Sequence, residues 1–194
     1  MSDLVPSDRE LVLRCQTGDL SAAETLYRRY RQSVHALVWR MMRGTAETED
    51  LVHDVFVRAL RGLKTFRGDS SFRTWVLHIA TNTVLNHLDR ADRAPFAGSL
   101  DEPLAGEGSD RRADVIASQA LRPEDVAINN ELEAAIQAAI SRLPPAYRAA
   151  LILRDVEGLA YDEIAVALDI NLGTVKSRIA RARAQVQGWL RDYV

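Results

Sequence analysis

Residues 161–186 read YDEIAVALDINLGTVKSRIARARAQV, and this stretch decides the fold. Tyr161, Ile164, Ala165 and Leu168 recur at spacings of three and four, the period of one helix face. The DINLG segment at 169–173 has the composition of a tight turn. A second helix is predicted from about residue 174 to 190, with Val175, Ile179, Ala182, Val186, Trp189 and Leu190 on its inner side. Two amphipathic helices joined by so short a turn form a helix-turn-helix.

The outer side of the second helix has the chemistry that a DNA groove needs. Ser177, Ala180, Arg181 and Ala184 point furthest from the predicted core. Thr174 and Arg178 flank them on one side, Lys176 and Arg183 on the other. Between Lys176 and Arg183 four cations and no acid occupy eight residues, in a chain whose formal net charge is −2. A basic helix alone could be a solvated surface, or could complement a helix dipole. The preceding helix at turn spacing is what points to duplex DNA. In this geometry the N-terminal turns of the second helix enter the major groove. Arg binds guanine edges through two bonds, Ser and Thr reach bases or phosphates, and Ala lets the backbone approach. Lys and Arg on the rim displace counterions from phosphates. Each base contact supplies only about 1–3 kcal/mol of discrimination, so one such domain reads DNA weakly by itself.

Working outward, AYRAALILRDVEG (146–158) and NNELEAAIQAAISRL (129–143) read as two more helices, separated at Pro144-Pro145 and closed by Gly158. Residues 92–127 differ in character. They hold three of the six prolines and three of the ten glycines. Over 92–133 ten acids face four arginines, a local charge of −6 that leaves +4 on the remainder. The near-neutral total therefore says little about partners; the partition says more. This segment reads as a flexible acidic linker.

Upstream, Ala23, Leu26, Tyr27, Tyr30, Val34, Leu37, Val38 and Met41 mark a long helix, with Asp19 or Ser21 as cap and Gly44 past its end. In the next, Leu51, Val52, Val55, Phe56, Ala59 and Leu60 form the buried side, while Glu47, Asp50, Asp54 and Arg58 line a polar one. The loop KTFRGDSS (64–71) leads, with Ser70 or Ser71 as cap, into a helix whose Phe72, Trp75, Val76, Ile79, Leu77, Val84 and Leu88 face inward. Its remaining side carries Thr74, His78, Thr81, Asn82 and Asp89. No alternating run is long enough for a strand. The expectation is an all-α chain of two small helical domains, 1–91 and 128–194, joined by the linker 92–127.

Several function classes are set aside. Apolar residues make up 47% and charged residues 27%, enough for a packed core. Cys15 is the only cysteine, so no internal disulfide forms, and a buried thiol is expected. His35, His53, His78 and His87 lack HExxH spacing, and neither GxxxxGK[ST] nor GxGxxG occurs. No cofactor, metal or catalytic group is expected, and the chain is not read as an enzyme. The N-terminus shows no signal-peptide pattern and no stretch approaches a membrane span, so the expected location is the cytoplasm.

Three motifs then carry a resemblance. RLPPAYRAALILRDVEGLAYDEIAVALDINLGTVKSRIARAR resembles the DNA-binding C-terminal domain of bacterial sigma factors of the extracytoplasmic-function (ECF, sigma-70 family group 4) type. ETEDLVHDVFVRAL and FRGDSSFRTWVLHIATNTVLNHL resemble two successive segments of that group's N-terminal domain. The likeness spans nearly the whole chain outside the linker, with the motifs in the right order. It implies a sigma region 2-like domain that binds core RNA polymerase (β′ and β subunits) and melts the −10 element. It also implies a sigma region 4-like domain that reads the −35 element of promoter DNA.

The resemblance places polymerase contacts on Asp50, Leu51, Asp54, Val57 and Arg58. It places −10 capture on Lys64, Phe66, Arg67, Asp69 and Asn82, and −35 readout on Thr174, Lys176, Ser177, Arg178, Ala180, Arg181 and Arg183. Ala180 is smaller than its counterpart in relatives. An amide such as Asn82 can pair with the edge of an unstacked base. Phe66 can stack on a base, and Trp75 is assigned to the core. An anti-sigma partner is implied, as is a linker that imitates RNA inside the polymerase. The rival reading is a stand-alone helix-turn-helix regulator, which would bind duplex DNA unaided, usually as a symmetric dimer.

Overall fold

The computed structural model describes residues 6–93 and 123–191, with the backbone alone described over 123–130. All regular structure among them is helical. In chain order the helices are α1 (Asp8–Gln16), α2 (Leu20–Met41), α3 (Thr48–Gly62), α4 (Phe72–Arg93), α5 (Pro123–Arg142), α6 (Pro145–Leu151), α7 (Tyr161–Leu168) and α8 (Leu172–Trp189). A single 3-10 turn, Leu63–Thr65, extends α3, and a π-helical turn, Ile152–Val156, extends α6.

Local chemistry sets the boundaries. Helix α1 was not read from the sequence, yet its start carries a capping box. Ser7 Oγ accepts from the Glu10 amide at 3.3 Å, and Glu10 Oε2 accepts from the Ser7 amide at 2.8 Å. Asp19 starts α2 by accepting from the amides of Ser21 and Ala22. The Ser21 hydroxyl and the Arg14 guanidinium on the same carboxylate hold its pKa down to about 2. Gly44 follows α2 at φ +74°, and Gly158 follows the π turn at φ +69°, both left-handed positions that suit glycine. Ser71 Oγ accepts from the Thr74 amide at 3.0 Å and so starts α4. Pro145 opens α6 directly after Pro144.

Helices α2, α3 and α4 pack on one another, with α1 laid across α2. Leu26, Val34, Leu37, Val55, Val76, Leu77 and Val84 fill their shared core. Asp8 fastens α1 to α2 by accepting from Arg29 and from the Tyr30 hydroxyl. Burial and this carboxylate push the Tyr30 pKa upward. Cys15 is half-buried rather than fully enclosed, and burial raises its thiol pKa. In the second group α8 packs on α5, α6 and α7 around Leu143, Ile152, Leu153, Ile164, Val175 and Ile179.

Three details differ from the sequence expectation. Leu60 and Tyr27 are half out of the core, at 50% and 39% exposure, because they sit at the edges of their apolar arcs. Helix α4 runs to Arg93 and α5 starts at Pro123, so helix reaches into both ends of the 92–127 segment. The acidic stretch between them, with its suggested RNA mimicry, lies outside the described residues. The third difference is the largest: of the polar side of α4 only Asp89 is exposed, and His78 and Asn82 are half-buried. Thr74 and Thr81 are buried, at 1% and 0% exposure. Helix α7 packs against α4, and the apolar residues of both halves join in one continuous core. No described helix is long and apolar enough to cross a membrane.

Candidate nucleic-acid interface

Helix α8 is presented by its buried side. Val175, Ile179 and Ala182 lock it onto the neighbouring helices. Asn171 caps it by accepting from the Thr174 amide at 2.8 Å. The turn before it passes through Asp169 at φ +51°. Lys176, Ser177, Ala180, Arg181 and Arg183 are then exposed on one side, with Thr174 and Arg178 half-buried at its margin. The structure thus brings the predicted −35 set onto a single surface.

Their freedom differs. Thr174 Oγ1 donates to Asn171 Oδ1 at 3.0 Å, so its hydroxyl already serves the cap. Ser177 Oγ donates to the Thr174 carbonyl at 3.0 Å and keeps its lone pairs outward. Arg181 only grazes the Tyr147 hydroxyl, at 3.5 Å. Arg183 donates both Nε and Nη2 to Asp155, a pairing that raises its pKa. Lys176, Arg178 and Arg181 have no carboxylate partner among the described residues.

The −10 set falls into two places. Lys64, Arg67 and Asp69 are exposed on the loop before α4, with Gly68 at φ +79°. Phe66 is half-buried, 4.7 Å from the Trp75 ring and 6.3 Å from Phe72. Trp75 is itself only partly buried, packed against the core. Helix α1 ties the loop down, a role the sequence did not reveal: Gln16 Nε2 donates to the carbonyls of Leu63 and Phe66, both at 3.0 Å. A cleft of about 520 Å³ opens between α1 and the loop, lined by Asp8, Arg9, Gln16, Phe66, Arg67 and Ser70 among others.

Asn82 lies ten residues beyond Phe72, about 15 Å along α4 at 1.5 Å per residue. It is half-buried, and its Nδ2 lies 3.1 Å from His78 Nε2. His78 Nδ1 lies 3.0 Å from the Ala167 carbonyl of α7. Loop and amide therefore share a helix but not a single pocket.

The polymerase set is mostly outward. Asp50, Asp54 and Arg58 are exposed on α3, and Val57 is half-buried. Glu47 and Glu49 are engaged by His87, His35 and Arg31. Asp50 and Asp54 have no such partner among the described residues. Leu51, which the apolar spacing also puts on the inner side, is buried at 7% exposure and supports α3 from within. Sequence reasoning missed the apolar cleft of about 360 Å³ between α2 and α3, lined by Leu20, Tyr27, Phe56, Leu60 and Leu63 among others. The signal was present, since Phe56, Leu60 and Leu63 follow helical spacing beyond what a core needs.

Comparisons with known proteins point to one family. The family described as Sigma-70 region 2 matches residues 26–94, and Sigma-70, region 4 matches residues 133–186. The RNA polymerase sigma-H factor of Pseudomonas aeruginosa is 37% identical over 181 residues, covering 92% of this chain and 91% of its own. The ECF RNA polymerase sigma-E factor of Escherichia coli is 37% identical over 180 residues, covering 93% and 92%. In fold, the chain is similar to CnrH in its complex with the cytosolic domain of CnrY, at a TM-score of 0.66, 24% identity and coverage of 94% and 96%. It is also similar to the sigma factor RpoE of Bartonella quintana in complex with the anti-sigma factor NepR, at 0.60, 22% identity and coverage of 87% and 96%. With both regions matched in order and relatives similar from end to end, the chain belongs to the ECF group of the sigma-70 family, transcription initiation factors rather than enzymes.

Proposed function

We propose that this sigma factor reads its promoter at two separate surfaces within the cytoplasm. On α8, Arg181, Lys176 and Ser177 meet base edges of the −35 element. Ala180 allows close approach, and Arg178 and Thr174 hold the flanking backbone. Arg183 joins them only by leaving Asp155. The observation that carries this reading is the uncovered side of α8, where cations without carboxylate partners surround a small residue on a rigidly capped helix. In the N-terminal domain, Asn82 pairs with an unstacked base of the −10 element. The loop residues Lys64, Arg67 and Asp69 guide the opened strand past Phe66 and the cleft beside α1.

Core polymerase docks on α3. Asp50 and Asp54 supply charge, and Val57, Arg58 and the apolar cleft between α2 and α3 supply contact area. Exposed ion pairs are weak singly, so the cleft carries much of the affinity. An anti-sigma factor is the expected regulator. Two solved structures of this fold are complexes, one with NepR as anti-sigma factor and one with the cytosolic domain of CnrY.

The test separates the surfaces. On a promoter selected by the wild-type holoenzyme from a genomic library, Arg181→Ala lowers occupancy of the upstream element. Asn82→Ala leaves occupancy unchanged but reduces permanganate-reactive thymines at the downstream one. Two variants that bind and open like wild type would overturn these assignments.

A further inference from the structure

Between α3 and α4 the chain holds an exposed loop in one shape with few bonds of its own. Beyond the 3-10 turn, the backbone of residues 66–70 makes one backbone bond, from the Phe66 amide to the Leu63 carbonyl at 3.2 Å. At Gly68, apart from its chain neighbours, no atom lies within 4 Å of the position a Cβ would take. Two contacts from outside the loop hold it. The first is the Phe66 ring, packed 4.7 Å from the Trp75 ring. The second is Gln16, the last residue of α1, whose Nε2 donates to the carbonyls of Leu63 and Phe66, each at 3.0 Å.

The residue type follows from the partners. Both are carbonyls, which only accept, so the atom between them must donate twice. A primary amide nitrogen does so with its two N–H groups; a carboxylate of the same shape has none. Each bond fixes more than one atom, because the peptide unit is a rigid plane. The Leu63 carbonyl belongs to the plane that leads into Lys64, and the Phe66 carbonyl to the plane that leads into Arg67. One side chain thus sets the direction in which both loop cations depart. Gln16 is itself well anchored. Leu11 and Val12 of α1 are buried, Asp8 accepts from Arg29 and Tyr30 of α2, and Arg14 donates to Asp19 at 2.9 Å across the turn between the two helices. The order of the α1–α2 pair is therefore carried 47 and 50 residues along the chain, into the loop.

We propose that Gln16 is a positioning residue for capture of the opened −10 strand: its amide holds the loop 64–71 in the shape that presents Lys64, Arg67 and Asp69. A single strand is flexible, and ordering both partners at once weakens binding. A loop fixed in advance leaves only the strand to be ordered. Gln16 acts through the loop and not on a base. This role rests on the proposed −10 assignment of the loop; the tether itself does not.

Gln16→Met removes both donors while keeping length and flexibility, and two measurements read its effect. In the free full-length chain, amide NMR relaxation over residues 66–70 should give order parameters near about 0.85 for wild type and below about 0.6 for Gln16→Met. Gln16→Lys has three N–H donors on an arm one methylene longer, and the cleft of about 520 Å³ beside it has room for that arm, so it should restore the order. In the holoenzyme, Gln16→Met should slow promoter opening, followed by permanganate, roughly ten- to thirtyfold, the worth of two ordinary hydrogen bonds. Occupancy of the upstream element should stay at the wild-type level, whereas loss of a merely structural residue would lower both together. If Gln16→Met loses its helicity by circular dichroism, Gln16→Glu, polar and of native shape, replaces it in both measurements. A loop that stays ordered in Gln16→Met, or stays loose in Gln16→Lys, overturns the tether. A loop that loosens while opening keeps its wild-type rate overturns the positioning role. Failure of the −10 reading shows elsewhere: Lys64→Ala combined with Arg67→Ala, opening at the wild-type rate, would remove the loop from −10 capture whatever Gln16 does.

Discussion

Arg181 and Lys176 stand on the same exposed side of α8 but have different tasks. Arg181 has the planar fork that reads a guanine edge, and Lys176 is a point charge suited to phosphate or a single acceptor. Arg181→Ala should cost about 1–3 kcal/mol at one base pair and relax the preference there. Lys176→Ala should remove a single base-edge contact, relax the preference less than Arg181→Ala does, and lower the salt slope by about 1. Competition binding of the holoenzyme to single-base variants at several salt concentrations measures both. Glu157 supplies a pH signature. Burial raises its pKa above the usual carboxylate value, against the pull of Arg73 and Arg40. The packed state therefore binds a proton that the unpacked state releases. Its stabilising contribution is full below the ordinary value of about 4.5 and is lost as pH rises through the raised one. Thermal melts of Glu157→Gln against wild type should show that component of the pH dependence missing in the variant; parallel profiles would remove Glu157 from the account.

Element by element, α8 depends on its cap and its buried side. Asn171→Ala should cost about 1 kcal/mol by freeing the Thr174 amide. Ile179→Ala, in a position 1% exposed, should cost about 2–5 kcal/mol by leaving a cavity. Denaturant titrations check both, and the cap variant should lose DNA binding more than its stability loss alone explains. The same helix shows why much of the site was legible. Period, turn and charge coincide within 26 residues, and a helix-turn-helix shows its recognition side in the sequence itself. The short α1 was harder, since its nine residues carry a weak apolar pattern and only the Ser7–Glu10 box marks it. Leu60 and Tyr27 misled for a different reason. An apolar residue at the edge of a helical arc reads the same whether it meets its own core or a partner's surface. Leu51 was legible, because its apolar spacing puts it inward and the structure buries it there.

At the scale of the molecule, the sequence yielded the two helical groups but not their embrace. Thr74, His78, Thr81 and Asn82 look like a solvated face because each is polar. What buries them is α7, 89 residues away from His78 in sequence, and no periodicity reports a contact at that range. An ordinary operator-binding regulator would bind duplex DNA unaided, usually as a symmetric dimer. Here the prediction is weak duplex binding alone and strong, sequence-selective binding with polymerase. The most direct measurement is reconstitution. The purified chain is added to core RNA polymerase on a library of genomic fragments, and run-off transcripts are sequenced. Initiation at a restricted set of start sites, sharing elements about 10 and 35 base pairs upstream and absent without the chain, is the predicted result. Transcripts indistinguishable from those of core enzyme alone, or specific duplex binding that core enzyme does not enhance, would contradict it.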